Sequence, residues 1–144
     1  MDLIFWRHAE TAHAVDGQSD SDRELSPRGE RQAQRMAHWL ERQLPESTKI
    51  LCCPTVRAEQ TVAPLGRKYK LRDELSPNAS IEDVLELVQW PVNKSNVLLV
   101  THQPLIGDVI KTLLILPEYS IAQNWPCETT RRTKDIVIEV IYSY

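Results

Sequence analysis

Apolar and polar positions alternate along this chain in two different periods, and each change of period marks an element. Asp2 to Trp6 is a short apolar run that predicts a strand, and the polar, Asp- and Ser-rich residues His13 to Asp22 predict a loop. Ser26 then offers an N-cap and Pro27 a first helical position. Beyond them Ala33, Met36, Ala37, Leu40 and Leu44 recur at helical spacing, with Glu30, Arg31, Arg35 and Glu41 between them. That pattern predicts an amphipathic helix ending before Pro45. Lys49 to Cys53 predicts a short buried strand. Pro54 and Thr55 open a second helix carrying Arg57, Gln60 and Val62, which Pro64 ends or kinks because proline lacks the N–H.

Leu71 to Leu75 reads as a short extended segment. Ser80 followed by Asp83 has the spacing of a capping box, and Ile81, Val84, Leu85 and Val88 form an apolar stripe up to Trp90-Pro91. Asn96 to Thr101 is apolar on both faces, as suits a central parallel strand covered by helices. Pro104 starts a helix with Leu105, Ile106, Val109, Ile110, Leu113 and Leu114 turned inward, stopped by Pro117. Asp135 to Tyr142 predicts a last strand near a sheet edge, and a further edge strand is expected to be missing. Neither a repeat nor an interdomain linker interrupts the chain, so residues 1–144 are read as one domain. The order of elements predicts an α/β three-layer sandwich, a mostly parallel central sheet with helices on both faces.

Composition narrows the function classes. With 144 residues and 42% hydrophobic positions, the chain is long enough to bury a core without staples. Seventeen Lys and Arg against 20 Asp and Glu leave a net charge of −3, so a global basic field for nucleic acid is absent. An anion site must then be a local pocket of Arg and His. The three Cys are odd in number and Cys52 and Cys53 are adjacent, which argues against a disulfide framework and for a reducing, cytoplasmic location. The N-terminus lacks the basic and long apolar regions of a signal peptide, and no run of about 18 apolar residues predicts a membrane span.

Ligands of open parallel sheets bind at the carboxyl ends of the strands. Three polar motifs fall there: Arg7-His8-Ala9-Glu10 after the first strand, Cys53-Pro54-Thr55-Val56-Arg57-Ala58-Glu59-Gln60-Thr61 after the second, and Thr101-His102-Gln103-Pro104 after the strand from Asn96. Singly, each has an ordinary explanation: a loop histidine, a solvated arginine, a histidine near a helix start. Together, at three strand ends, they point to one site.

In this order the motifs resemble the histidine phosphatase superfamily, with its Arg-His-Gly motif, a later Arg in an R-A-x-Q-T context, and a second His. Within it the chain is similar to the small, cap-less phosphohistidine phosphatases: Asp20 to Ser26 matches a D-x-x-R-x-L-[ST] stretch, Leu25 to Gly29 an L-T-x-x-G helix start, and Glu74-Leu75-Ser76-Pro77 an E-L-x-P segment. The resemblance implies a phosphoglycerate mutase-like fold. It further implies that His8 is a nucleophile that becomes phosphorylated, that His102 donates a hydrogen bond to a transferring oxygen, and that Arg7, Arg57 and Arg23 bind the phosphoryl oxygens. Such groups fit a reaction whose catalysis is mainly positioning and electrostatic stabilisation. Asp20 is the expected proton donor and Glu74 its rival; His13 and His38 are expected bystanders. Neither a metal nor another cofactor is expected.

Departures are confined to the surroundings. Ala9 stands for the glycine, Cys53 for a serine, Pro64 shortens a helix, and Trp125 to Arg132 lacks a small Gly/Ser turn. A cysteine phosphatase would need five residues between Cys and Arg, and neither Cys52 nor Cys53 has that register to Arg57. A non-catalytic phospho-binding module has no use for a nucleophile, and a phosphatase of small phosphate esters would want a cap for which Leu75 to Asn96 leaves no room. The expected substrate is a histidine-phosphorylated signalling or phosphocarrier domain, acted on by a monomer, with neither nucleic acid nor membrane involved.

Overall fold

A computed structural model of the chain describes residues 2–89, 95–114, 128–133 and 136–142. The strands are β1 (Asp2–Arg7), β2 (Lys49–Cys52), β3 (Lys70–Leu71), β4 (Val97–Thr101), β5 (Glu128–Thr133) and β6 (Ile136–Tyr142). The helices are α1 (Pro27–Gln43), α2 (Val56–Val62), α3 (Ile81–Val88) and α4 (Leu105–Leu114), with 3-10 turns at Asp20–Asp22, Ala63–Leu65 and Asp73–Leu75.

The strands form one sheet in the order β3-β2-β4-β1-β6-β5. Among the described residues, every strand pairing is parallel except the antiparallel β5–β6. Parallel crossovers are right-handed, so α1 and α2, which connect strands toward β3, cover one face. α3, which connects β3 to β4 in the opposite direction, covers the other, and α4 lies beside it. Helix contacts agree, since α1 packs on α2 and α3 packs on α4. The expected three-layer α/β sandwich is present.

β4 lies between β2 and β1, and all five of its residues are buried, which explains why its sequence is apolar on both faces. Leu3 to Trp6, Val97 to Val100, Ile106, Val109 and Ile110 form the centre of the core. Truncating one of these, Leu98→Ala for example, costs about 2–5 kcal/mol on the usual scale for a filled core. Ser26 caps α1 by accepting from the Gly29 N–H at 3.0 Å, and Ser80 and Asp83 form the expected reciprocal box on α3.

Two expectations are corrected at the sheet edges. The last strand, β6, lies near the edge as expected, pairing with β1 on one side and β5 on the other. The edge strand judged missing is β5, whose sequence ETTRRT shows no apolar alternation because an edge strand needs little. At the other edge, Leu71 to Leu75 is not one extended segment: β3 stops at Leu71 and a 3-10 turn follows. Trp90-Pro91, Pro117 and Trp125 to Cys127 lie outside the described residues.

Register makes the strand ends level. Arg7 pairs with Thr101 and Cys52 with Val100, so the loops beginning at His8, Cys53 and His102 leave the same edge of the sheet.

Candidate active site

Arg7 ends β1 and His8 continues its ladder by one bond, the His8 N–H donating to the Thr101 carbonyl at 3.0 Å. The His8 ring is then fixed by its own neighbour, with Nδ1 at 2.9 Å from the Ala9 carbonyl oxygen. A carbonyl only accepts, so Nδ1 carries the proton and the lone pair of the neutral ring sits on Nε2. Burial, aided by the charges of Arg57, Arg7 and His102 and opposed by the Ala9 hydrogen bond, draws the His8 pKa from 6.5 down to about 4. His8 is therefore a neutral imidazole at physiological pH with a free Nε2, the form a nucleophile requires. The arginines act in the expected direction, but burial is the larger cause.

Three groups hold the loop that carries His8. The Ala9 N–H donates to Thr61 Oγ1 at 3.0 Å, and that hydroxyl donates to the Arg57 carbonyl at 2.7 Å. The Glu10 N–H donates to Gln32 Oε1 at 3.1 Å, while the Glu10 carbonyl accepts from the Ser26 N–H at 3.0 Å. Gly29 completes the seat, because a Cβ there would overlap the Glu10 carbonyl oxygen. Sequence reasoning assigned none of these roles. The spacing held a signal for Thr61, which with Gln60 lies four and three residues after Arg57, on its face of α2. Gln60 uses that position to accept from the Leu25 N–H at 2.7 Å.

Arg57 rises from the first turn of α2 and is 7% exposed. Its Nη1 donates to the Asp20 carbonyl at 2.7 Å and its Nη2 to Asp20 Oδ2 at 3.0 Å. Arg23 approaches the same carboxylate, Nη1 to Oδ1 at 3.5 Å, while its Nη2 donates to Thr11 Oγ1 and the Ala12 carbonyl. The Asp20 carboxylate thus lies between two guanidinium groups, where a phosphoryl group would find the same donors. The Arg57 hydrogen bond and the charges of both arginines hold its pKa below the usual carboxylate range. Asp20 is at the expected place, but ion-paired and deprotonated. Glu74 is likewise paired, with Arg72 at 2.8 Å, and that bond lowers its pKa to about 2.

His102 follows β4 directly. Burial and Arg57 lower its pKa, against Asp20. Direct contacts bring Arg57, Asp20 and Arg23 together, Arg57 acts on both His8 and His102, and Arg7 acts on His8. His13 is exposed, and the exposed His38 pairs with Arg42 on α1.

Cys52 and Cys53 are buried, and burial raises both thiol pKa values. Neither is a thiolate near neutral pH, so neither has the reactive form that a cysteine mechanism uses. Among the described residues, no group of three or more His, Cys, Asp or Glu side chains is arranged to hold a metal ion, and no helix is long and apolar enough to cross a membrane.

The model of the histidine phosphatase superfamily (branch 1) matches residues 3–79, the stretch that holds Arg7, His8, Asp20, Arg23 and Arg57. The chain belongs to the histidine phosphatase superfamily. Phosphohistidine phosphatase SixA of Escherichia coli is 32% identical over 121 residues, covering 78% of this chain and 74% of that protein. A structure of the protein histidine phosphatase SixA complexed with tungstate superposes with a TM-score of 0.70 at 28% identity, over 88% of this chain and 85% of that one. A SixA structure from Nakamurella multipartitia, described as a phosphohistidine phosphatase by assignment, matches with a TM-score of 0.61 at 34% identity, over 72% of this chain and 60% of that one. The chain is a SixA-like histidine phosphatase, a hydrolase whose fold and enzyme class agree with those expected from its motifs.

Proposed function

We propose that this histidine phosphatase removes the phosphoryl group from phosphohistidine on a signalling or phosphocarrier protein. His8 Nε2 attacks phosphorus while Arg7, Arg57 and Arg23 hold the equatorial oxygens. The observation that carries the choice of substrate is that both candidate acids are ion-paired: Asp20 with Arg57, Glu74 with Arg72. An alkoxide leaves poorly without an acid. A phosphohistidine ring brings its own proton, since an imidazole titrates near pH 6.5 when unmodified, and it leaves as a neutral ring. The similarity to proteins named for phosphohistidine supports the same reading. So does the short connection from Leu75 to the start of β4, which favours an open mouth suited to a protein domain. Buried free thiols at Cys52 and Cys53 suit a reducing cytoplasm, and a monomer suffices because one chain supplies the whole set.

The test is the ratio of kcat/KM for a phosphohistidine protein over that for a phosphoserine peptide and a sugar phosphate. A ratio well above one is expected. A ratio below one would replace this reading with a phosphomonoesterase on the same site.

A further inference from the structure

Thr101 is the last residue of β4 and is 2% exposed. Its hydroxyl donates to the Leu75 carbonyl at 2.9 Å, and the same oxygen lies 3.1 Å from His102 Nδ1. A hydroxyl has one proton to give. With that proton on Leu75, Oγ1 can only accept, so His102 Nδ1 must be the donor. The opposite arrangement would turn the hydroxyl toward Nδ1 and strip a carbonyl in a fully buried residue of its partner. The neutral His102 ring therefore carries its proton on Nδ1, facing the sheet, and leaves Nε2 bare.

We propose that Thr101 is a positioning residue that makes His102 a proton acceptor, so that His102 acts as general base in hydrolysis of the phosphoenzyme rather than as a neutral hydrogen-bond donor. The proposal rests on the reading of His8 as the phosphorylated group. In the step concerned, a water oxygen forms a bond to phosphorus, and the bond from phosphorus to His8 Nε2 breaks, its electron pair returning to Nε2. The water's proton passes to His102 Nε2, giving an imidazolium and hydrogen phosphate; His102 then releases the proton to solvent. The chain from Nδ1 through Thr101 to the Leu75 carbonyl stabilises that imidazolium. The charged and titratable groups acting on His102 are Arg57 and Asp20, with His8 coupled to it. Arg57 and burial keep it neutral before the step, as a base must be. The Glu74-Leu75 segment gains a role here that involves no acid: it supplies the carbonyl that ends the relay.

The tautomer can be measured without substrate, by two-bond nitrogen–proton correlation on protein labelled at histidine nitrogens, with His102 assigned from a His102→Asn variant. Wild type at neutral pH is expected to show a protonated Nδ1 and a bare Nε2. Thr101→Val, close in shape and well suited to a strand, should mix the tautomers, and Thr101→Ser should restore the wild-type pattern. In single-turnover experiments Thr101→Val should slow decay of the phosphoenzyme on the order of 10²-fold, the scale of a general base, with phosphorylation of His8 affected less. A protonated Nε2 in the resting wild type would overturn the proposal, as would unchanged phosphoenzyme decay in Thr101→Val. If Thr101→Val does not fold, the wild-type tautomer and the pH dependence of decay in Thr101→Ser decide. Absence of any phosphoenzyme in wild type would instead overturn the nucleophile assignment, a failure the substrate-free tautomer measurement keeps separate.

Discussion

Arg57 and Asp20 meet in one ion pair, yet the Arg57 side chain is 8% exposed and that of Asp20 60% exposed. Arg57 is set by α2, whose Thr61 also ties down the loop after His8. Asp20 stands on a 3-10 turn with no buried residue. An exposed partner contributes little, about 0–1 kcal/mol for a typical surface pair. The floor of the pocket is thus preorganised and costly to move, while the rim that closes on it is cheap to displace. In the proposed reaction, a phosphoryl anion would take over donors that Asp20 holds.

The largest effects are expected at the floor. His8→Ala should lower turnover by at least about 10³-fold, the scale for loss of a nucleophile. Arg57→Lys keeps the charge and loses the planar fork. It should lower kcat strongly, on the order of 10²-fold as for loss of one donor to a developing oxyanion, with an unchanged circular dichroism spectrum. An unfolded variant would make Arg57 a structural residue instead.

The same floor should show itself in pH dependence. The folded-state pKa of His8, about 4, lies below the ordinary 6.5. The unfolded chain therefore takes up the proton first as pH falls. The stability that the buried neutral ring represents is intact above pH 6.5 and is lost progressively down to about 4, by up to ~3 kcal/mol. Denaturant titrations should show that slope in wild type and a flatter one in His8→Asn. The acid limb of kcat/KM should correspondingly lie well below pH 6.5.

At the rim the effects should be smaller and of opposite sign. Asp20→Asn removes an anion from beside Arg57, where the proposed phosphoryl group would bind. Inhibition by tungstate should tighten by a few-fold, matching the worth of an exposed pair. Complete loss of activity in this variant would show that Asp20 leaves Arg57 and serves as the acid. Least affected should be Cys53→Ser and iodoacetamide-treated wild type, both expected to retain full activity because the thiols are buried and protonated.

The same division governs what the sequence made legible. Arg7, His8, Arg57 and His102 could be placed because each ends a strand or follows one closely, and a strand end in a parallel sheet has a fixed edge. The interior strands were readable where both faces are apolar, as in Val97–Thr101. β5 was not, because Glu128–Thr133 is polar and an edge position asks little of its side chains. Asp20 was readable as a site residue but not in its ionic state, which depends on Arg57 thirty-seven positions away. Thr101 and Leu75 were invisible as a pair, since the bond between them joins two segments that only the folded sheet brings together.

In the proposed reaction the phosphoryl group passes through His8. Rapid acid-free quenching during turnover of a phosphohistidine protein, followed by peptide mapping, tests it most directly. An acid-labile, alkali-stable phosphoryl group is expected on His8 and is expected to be absent in His8→Ala. A phosphoryl group on any other residue, or full turnover by His8→Ala, would contradict it.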